Sequence, residues 1–546
     1  VNDSAVFDYV IVGSGFGGSV SALRLAEKGY SVLVLERGKR FRDEDFAKST
    51  WDLRRYLWAP ALRCFGILQI SPFRDVVVLH GSGVGGGSLG YANVLVQPDE
   101  TALQTDDWRR SANWGQLLRP HFETARRMLG VAPNPRLGPA DTVLREIAGE
   151  LGTADTFHPT TVGAFFGAAG EEGKEFADPY FGGEGPARNA CRFCGACMVG
   201  CRFNAKNTLV KNYLYLAEKR GVEVRAEREV RDVRPLAAPE LDGARYELEM
   251  RRSTALLALR HERVRARNVI VAAGALGTLR LLLRCRDVTR SLPRLSPRLG
   301  DHVRTNNEGL LGVISRSGTP DYSSGVAITS IVHLDSVTTA EPVRYPAGSG
   351  SMRFLTGPMI ANGSFAARLA RSVWGVVRHP LDFLRTHVLP GWAERTTILL
   401  IMQAQDSDLR IRLGRGPLTL FGRGLVSEHK AGSTPLASPE IGYQVTREFA
   451  KRTGGIAMGS VNESLLGVPM TAHVLGGSNM GATAEDGVID TDCRVHGYEG
   501  LYVIDGSILP GNPGVNPSLT ITAMAEYAMS RVEPRLGNRL SGIDMA

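Results

Sequence analysis

The stretch Phe7-Asp8-Tyr9-Val10-Ile11-Val12-Gly13-Ser14-Gly15-Phe16-Gly17-Gly18 constrains this chain more than any other. An apolar run enters a glycine turn, a helical stretch from Ser19 to Lys28 leaves it, and a second apolar run, Ser31 to Leu35, ends at Glu36. This is a G-x-G-x-x-G dinucleotide fingerprint in a strand–turn–helix–strand setting. Gly13 permits the tight turn, Gly15 lets backbone amides approach a pyrophosphate, Phe16 opens the helix, and Gly18 lets the helix pack close to the strand. The helix N-terminus offers free N–H groups and its positive dipole end to the phosphates. Glu36 stands near the distance expected of an acid that binds a ribose hydroxyl, which favours FAD or NAD over a 2′-phosphorylated nucleotide.

A second glycine-rich loop follows a short apolar run, Val76 to Leu79. It reads His80-Gly81-Ser82-Gly83-Val84-Gly85-Gly86-Gly87-Ser88-Leu89-Gly90-Tyr91-Ala92-Asn93. So many glycines allow a backbone to touch a flat or charged ligand. Farther on, Arg267-Asn268-Val269-Ile270-Val271-Ala272-Ala273-Gly274-Ala275 reads as a strand that enters a helix. The C-terminal part carries His473-Val474-Leu475-Gly476-Gly477, Ile504-Asp505-Gly506-Ser507-Ile508-Leu509-Pro510 and Asn512-Pro513-Gly514-Val515-Asn516-Pro517-Ser518.

Together these motifs resemble the glucose–methanol–choline (GMC) family of flavoproteins, and within it the cholesterol oxidase-like bacterial and actinobacterial branch. The resemblance implies an α/β fold: an FAD-binding Rossmann-like domain with a discontinuous α+β substrate domain. The expected FAD domain comprises 1–45, 75–100, 205–300 and 470–535. The substrate domain comprises 101–190 and 301–469, and 191–201 is a separate cysteine loop. FAD is then the cofactor. The family pattern puts Gly83, Gly87, Ser88 and Asn93 against the flavin, Val230 near the adenine, Ala273 and Gly274 beside the cofactor backbone, and Asp505 near the ribityl and diphosphate portion. Asn516-Pro517 opens a helix whose N-terminus points at the isoalloxazine and favours its anionic reduced form.

By the same resemblance, His473 and Asn516 bind the hydroxyl of a hydrophobic secondary alcohol, a sterol. His473, or a water that it orients, takes the proton while hydride passes to the flavin. An imidazole titrates near neutrality, which suits that task. Glu394 is the positional match for the acid that steroid oxidases send into the pocket, with a surface carboxylate beside Arg395 as the competing reading. One departure is Val474, where the family has proline.

Four of the seven cysteines are crowded as Cys191-x2-Cys194-x2-Cys197-x3-Cys201. That spacing is used for [4Fe–4S] clusters, although here Arg202 follows rather than proline. Zinc is the alternative, but it usually draws four ligands from two separated pairs. A redox Cys-x-x-Cys or chance spacing completes the readings. The clustering speaks for a reducing compartment rather than a disulfide framework. With a cluster, electrons leave the flavin for an external acceptor, such as a redox protein, and the enzyme is a dehydrogenase. The rivals are an oxygen-using oxidase with a structural metal, a lyase or isomerase that keeps FAD as a fold element, and a lipid carrier.

The net charge of +8 is dispersed among 64 basic and 56 acidic residues, with no zinc-finger or RNA-binding signature, so nucleic acid is not an expected partner. No run approaches the ~20 apolar residues of a membrane span. A cytoplasmic setting is expected, with contact to a membrane surface as a further reading. The mixed segment Phe365 to Trp392 reads as a lid or solvated helix, with an interfacial helix that draws a lipid from a membrane as the second reading.

Overall fold

In the computed structural model, the described residues are 6–237, 242–255, 261–360, 363–405, 408–429 and 439–535. The apolar run that opens the chain forms the strand Val6–Val12, whose last five residues are buried. It pairs in parallel with Val32–Leu35 on one side and with His261–Val271 on the other. Glu223–Arg225 extends the sheet beyond Val32–Leu35, and Leu501–Val503 lies parallel to the end of His261–Val271. The earlier half of that long strand turns antiparallel to Tyr246–Arg252, which pairs with Arg228–Pro235. Strands covered on both faces read as continuous apolar runs, as these do. The helices Phe16–Glu27 and Ser518–Ser530 pack together over one face. Arg24 clamps them by donating to Glu526 at 2.8 Å, and Tyr213 donates to the same carboxylate at 2.6 Å.

A second sheet is antiparallel, in the order Thr356–Pro358, Gly455–Ser460, Gly309–Ser315, Thr396–Gln403, Thr338–Val343, Ser330–His333 and His158–Pro159. Its side chains alternate with the strand period. Leu311, Val313, Leu399 and Ile401 join a core with the helices Pro139–Leu151 and Glu440–Arg452. Leu310, Gly312, Ile398 and Leu400 face the other way, into a cavity shared with the nucleotide fold. Two short pairings join the halves: Met470–Thr471 runs parallel to Val77–Val78, and Val474–Leu475 runs antiparallel to Arg304–Thr305.

Apolar periodicity in the sequence predicts one helix over Asp106–Met128 and another over Ala205–Arg220, and the prolines and glycines of Val131–Ala187 predict loop; the structure differs at each. The stretch 106–128 is three helices, Asp106–Arg109, Trp114–Leu117 and Arg119–Met128, because Asn113 caps a new start and Pro120 begins another. Of 205–220, Tyr213–Lys219 is α-helical, since Asn212 leaves helical geometry at φ −140°. The region 131–187, expected to be loop-rich, holds the helix Pro139–Leu151. Its proline start and the Asp141 carboxylate on the Gly138 N–H at 2.6 Å are both legible cues.

Candidate functional site

The cavity has a volume of about 450 Å³ and runs from the first glycine turn to the second sheet. That is within the usual range for small-molecule sites. The glycines of its nucleotide end divide into two kinds. At Gly13, with φ +104°, an added Cβ would lie 2.3 Å from the Ala272 carbonyl oxygen; at Gly17 it would lie 1.9 Å from that of Ile504, and at Gly18 2.1 Å from that of Gly13. These three hold backbone against backbone. At Gly15, Gly87 and Gly274, by contrast, a Cβ would meet nothing within 4 Å, and all three line the cavity. That is a cradle kept clear of side chains, and it fits the diphosphate and flavin of FAD.

Phe16, Glu36, Val230, Ala273, Asp505 and Pro517 line the same end. The Glu36 carboxylate accepts from the Ser14 hydroxyl (2.8 Å) and from the Gly38 N–H (2.8 Å), which fixes it at the wall. Asp505 accepts from Thr278 Oγ1 at 2.5 Å and from the Ser507 N–H at 2.8 Å; burial raises its pKa. Gly18, Gly83, Ser88 and Asn93 are outside the lining. Gly83, with φ +124°, packs on Leu89 and Phe41. Ser88 Oγ donates to the Gly85 carbonyl at 2.7 Å and accepts from the Leu209 N–H. Asn93 is buried with φ +72° and accepts through its carbonyl from the Gly163 N–H. These residues shape the loop rather than face the cavity.

At the junction of the two halves, His473 and Asn516 both line the cavity. The strand pairings on either side of His473 pin its backbone. Asn516 precedes the helix Ser518–Ser530, and its loop is stitched to the substrate side by Asn512, whose amide donates to the carbonyls of Gln403 (2.8 Å) and Gln405 (3.1 Å). His473 Nδ1 contacts Glu308 Oε1, and the other oxygen of Glu308 accepts from the Ala472 N–H at 2.8 Å. Burial depresses the His473 pKa, but the Glu308 carboxylate outweighs it and the net shift is upward. Nε2 takes no hydrogen bond among the described residues. Asn516 Nδ2 donates to Glu341 Oε2 at 3.4 Å. Glu341 is fully buried; desolvation pushes its pKa to about 8 despite the pull of His473.

Glu308 and Glu341 are therefore the acids beside His473 and Asn516, and the sequence reading named neither. Glu341 was detectable as a carboxylate amid an otherwise uncharged strand, Thr338–Val343. Glu308 ends a polar run just before an apolar strand, a weaker cue. Glu394 is not at this face. It sits half-buried on the short helix Trp392–Arg395, outside the cavity lining; its Oε1 accepts from the Gly348 N–H at 3.0 Å, whereas Trp392 of the same helix reaches the cavity. The four-residue helix turns the tryptophan inward and the acid away.

The cysteine loop abuts the cavity through Met198. Cys191 Sγ accepts from the Phe193 N–H at 3.4 Å, and Cys194 and Cys197 accept from the N–H groups of Ala196 and Ala327. Burial raises the pKa of all three thiols, that of Cys197 to about 11. Lys206, wholly buried, donates to the carbonyls of Leu89 (3.0 Å), Tyr91 (2.8 Å) and Cys197 (2.8 Å), tying this loop to the second glycine loop. No group of three or more His, Cys, Asp or Glu among the described residues is arranged to hold a metal ion. The four expected ligands, Cys191, Cys194, Cys197 and Cys201, thus lack coordination geometry here.

Comparison with known proteins agrees with this architecture. GMC oxidoreductase family models match residues 186–303 and 441–525, and a model of an NAD(P)-binding Rossmann-like domain matches 11–42. The chain is 44% identical over 527 residues to a cholesterol oxidase of Acinetobacter baumannii, covering 96% of this chain and 94% of that protein. It is 45% identical over 535 residues to a cholesterol oxidase of Mycobacterium tuberculosis, covering 96% and 90%. Among solved structures, pyridoxine 4-oxidase from Mesorbium loti superposes with a TM-score of 0.58 at 16% identity, covering 96% of this chain and 99% of that one. A fungal aryl-alcohol oxidase gives 0.57 at 15% identity, covering 97% and 99%.

Proposed function

The chain belongs to the GMC oxidoreductases, FAD-dependent enzymes, and we propose that it oxidises the secondary hydroxyl of a large apolar alcohol of the sterol class. The observation that carries this reading is the meeting of His473 and Asn516 between a glycine cradle and an apolar chamber. That chamber is walled by Leu310, Val343, Ile398, Leu400 and Met458. The names of the two cholesterol oxidase relatives support the sterol class.

The residues divide the work as follows. Glu308 holds the Nδ1 side of His473, which leaves Nε2 to accept the hydroxyl proton. The second N–H of the Asn516 amide donates to the hydroxyl oxygen and fixes the carbinol carbon. Glu341, with a pKa near 8, is uncharged at neutral pH, so no second carboxylate opposes alkoxide character at the reacting oxygen. FAD, held in the cradle of Gly15, Gly87 and Gly274, supplies the hydride acceptor. The dipole of the helix Ser518–Ser530 points its positive end at the same region. Exclusion of water follows from the apolar walls.

For the second half-reaction we propose an external electron acceptor. Backbone N–H groups and Lys206 beside Cys197 pull the loop sulfurs toward the thiolates that a [4Fe–4S] cluster or zinc would require, but burial outweighs them, and the missing ligand geometry also counts against both metals. Iron, zinc and acid-labile sulfide analysis of anaerobically purified protein decides the point. For the alcohol half-reaction, His473→Ala is expected to keep FAD bound yet abolish flavin bleaching by a 3-hydroxysteroid under anaerobic conditions. Undiminished bleaching refutes the role of His473.

A further inference from the structure

The apolar chamber beyond His473 and Asn516 ends on hydrogen-bond donors that the protein itself leaves short of acceptors. Its reactive end is marked by the rung where Glu341 pairs with Leu400, because Asn516 donates to that glutamate. On the strand Thr396–Gln403, the cavity side carries Leu400, Ile398 and Thr396 in turn. From Leu400 to Thr396 the strand rises by about 14 Å. Val343 pairs with Ile398 on the way, and Tyr345 follows it at the far end. There Tyr345, Tyr56 and Trp392 belong to one cluster, and all three line the cavity. The hydroxyls of Tyr56 and Tyr345 lie 3.5 Å apart. A firm O–H···O bond is about 2.7–2.8 Å long, so the proton that they share is loosely held. Each phenol has one proton to give, and the second proton of the pair has no acceptor among the described residues. Burial raises the pKa of both, so both stay protonated at neutral pH. The indole N–H of Trp392 is also without an acceptor. The neighbouring threonines differ: Thr356 donates to the Arg353 carbonyl at 2.7 Å and Thr396 to the Trp392 carbonyl at 2.5 Å. Buried donors are nearly always paired, and an exception asks for a cause.

We infer that the substrate carries a second oxygen, remote from the hydroxyl that is oxidised, and that the Tyr56–Tyr345 pair donates the hydrogen bond that recognises it. This rests on the proposed oxidation of a sterol-class alcohol and narrows it to one with oxygen at both ends and an apolar middle. The middle meets Leu310, Val343, Ile398, Leu400 and Met458. The remote oxygen is that of a neutral group, a ketone or a hydroxyl. The arginines of the cavity lining, Arg37, Arg228, Arg231, Arg280 and Arg284, flank Glu36, Val230 and the helix after Gly274, at the nucleotide end. A carboxylate among the tyrosines would be buried without a cation, which is costly. A hydrocarbon end would cover the phenol proton and leave it unsatisfied. A site built to donate a hydrogen bond discriminates against an analogue lacking the acceptor far more strongly than an apolar pocket discriminates against a changed methylene.

The test compares two 3-hydroxysteroids on the holoenzyme. One carries a ketone on the ring farthest from the hydroxyl; the other carries an exocyclic methylene there, which keeps the shape and lacks the acceptor. The concentration dependence of anaerobic flavin bleaching gives an apparent Kd for each. Wild type is expected to bind the ketone at least about tenfold more tightly. In the double variant Tyr56→Phe/Tyr345→Phe the two values should converge to within about twofold. The ratio is taken within one protein, so a general loss of stability or of flavin cancels from it. The single variant Tyr345→Phe, which removes one donor and keeps the ring, should lower the preference and serves where the double variant does not fold. Equal affinity of wild type for the two steroids overturns the inference, as does a preference that survives loss of both hydroxyls. Bleaching by both steroids alike refutes this inference and leaves alcohol oxidation standing, whereas bleaching by neither refutes the oxidation itself and this inference with it.

Discussion

Glu308→Gln isolates the electrostatic support of His473. The wild-type carboxylate is fully buried and serves two donors, the imidazole Nδ1–H and the Ala472 N–H. Glutamine keeps the shape but offers one oxygen for those two donors and no charge. An opposite charge within about 4–6 Å moves a pKa by about 1–3 units, each worth about 1.4 kcal/mol. Burial pulls His473 down and Glu308 pushes it up, so removing the charge leaves burial to dominate. The free base is the active form, so the rate rises with pH as His473 deprotonates. In anaerobic stopped-flow measurements, the rising limb of flavin reduction against pH should move to lower pH by about 1–3 units. The maximal rate should fall as well, because the ring is less firmly oriented. Linkage adds a second readout: a histidine whose folded pKa is raised stabilises the fold below its unfolded value and loses that contribution as pH rises through the folded pKa. The melting-temperature gap between wild type and variant should therefore be widest in acid and narrow with rising pH. An unmoved limb, or one displaced to higher pH, refutes the assignment of Glu308 as the source of the shift.

Further expectations can be checked alongside. Glu341→Gln should remove a pH dependence centred near 8 from flavin reduction. Because its folded pKa lies above the unfolded one, ionisation opposes folding. The variant's gain in melting temperature should thus grow between pH 4.5 and 8 and then level off. Gly15→Val should fold yet elute without flavin, since its side chain occupies the open cradle. Gly13→Ala should instead lower the melting temperature, because its Cβ would meet backbone at 2.3 Å and φ is +104°. Glu394→Gln should leave the rate of flavin reduction within about twofold of wild type, because Glu394 is outside the cavity lining that His473 and Asn516 share.

The nucleotide half of the fold was legible because its rules are local. Glycines at fixed offsets, an apolar run and a terminal acid lie within one βαβ unit, and backbone sterics dictate what each must be. That His473 and Asn516 share one cavity follows from the resemblance and not from spacing, and the structure sets both in its lining. Glu308 and Glu341 were not. They reach the same point from a loop end and from the middle of a strand, through pairings such as Thr338–Val343 with Thr396–Gln403 that no local pattern specifies. Glu394 misled because its position before an apolar strand was right, while the direction of its side chain depends on a four-residue helix. Asp106–Met128 looked continuous since periodicity survives a cap, whereas Asn113 and Pro120 interrupt the backbone. The apolar stripe of Phe365–Arg378 was visible, but which way it faces is a tertiary fact.

The central claim is that hydride leaves the carbinol carbon while His473 takes the hydroxyl proton. The most direct measurement is anaerobic flavin bleaching by a sterol carrying deuterium on that carbon. The account predicts that bleaching occurs, that it is markedly slower with deuterium, and that it vanishes in His473→Ala. Turnover of the alcohol with no change in the flavin spectrum, or bleaching indifferent to both deuterium and His473, would contradict it.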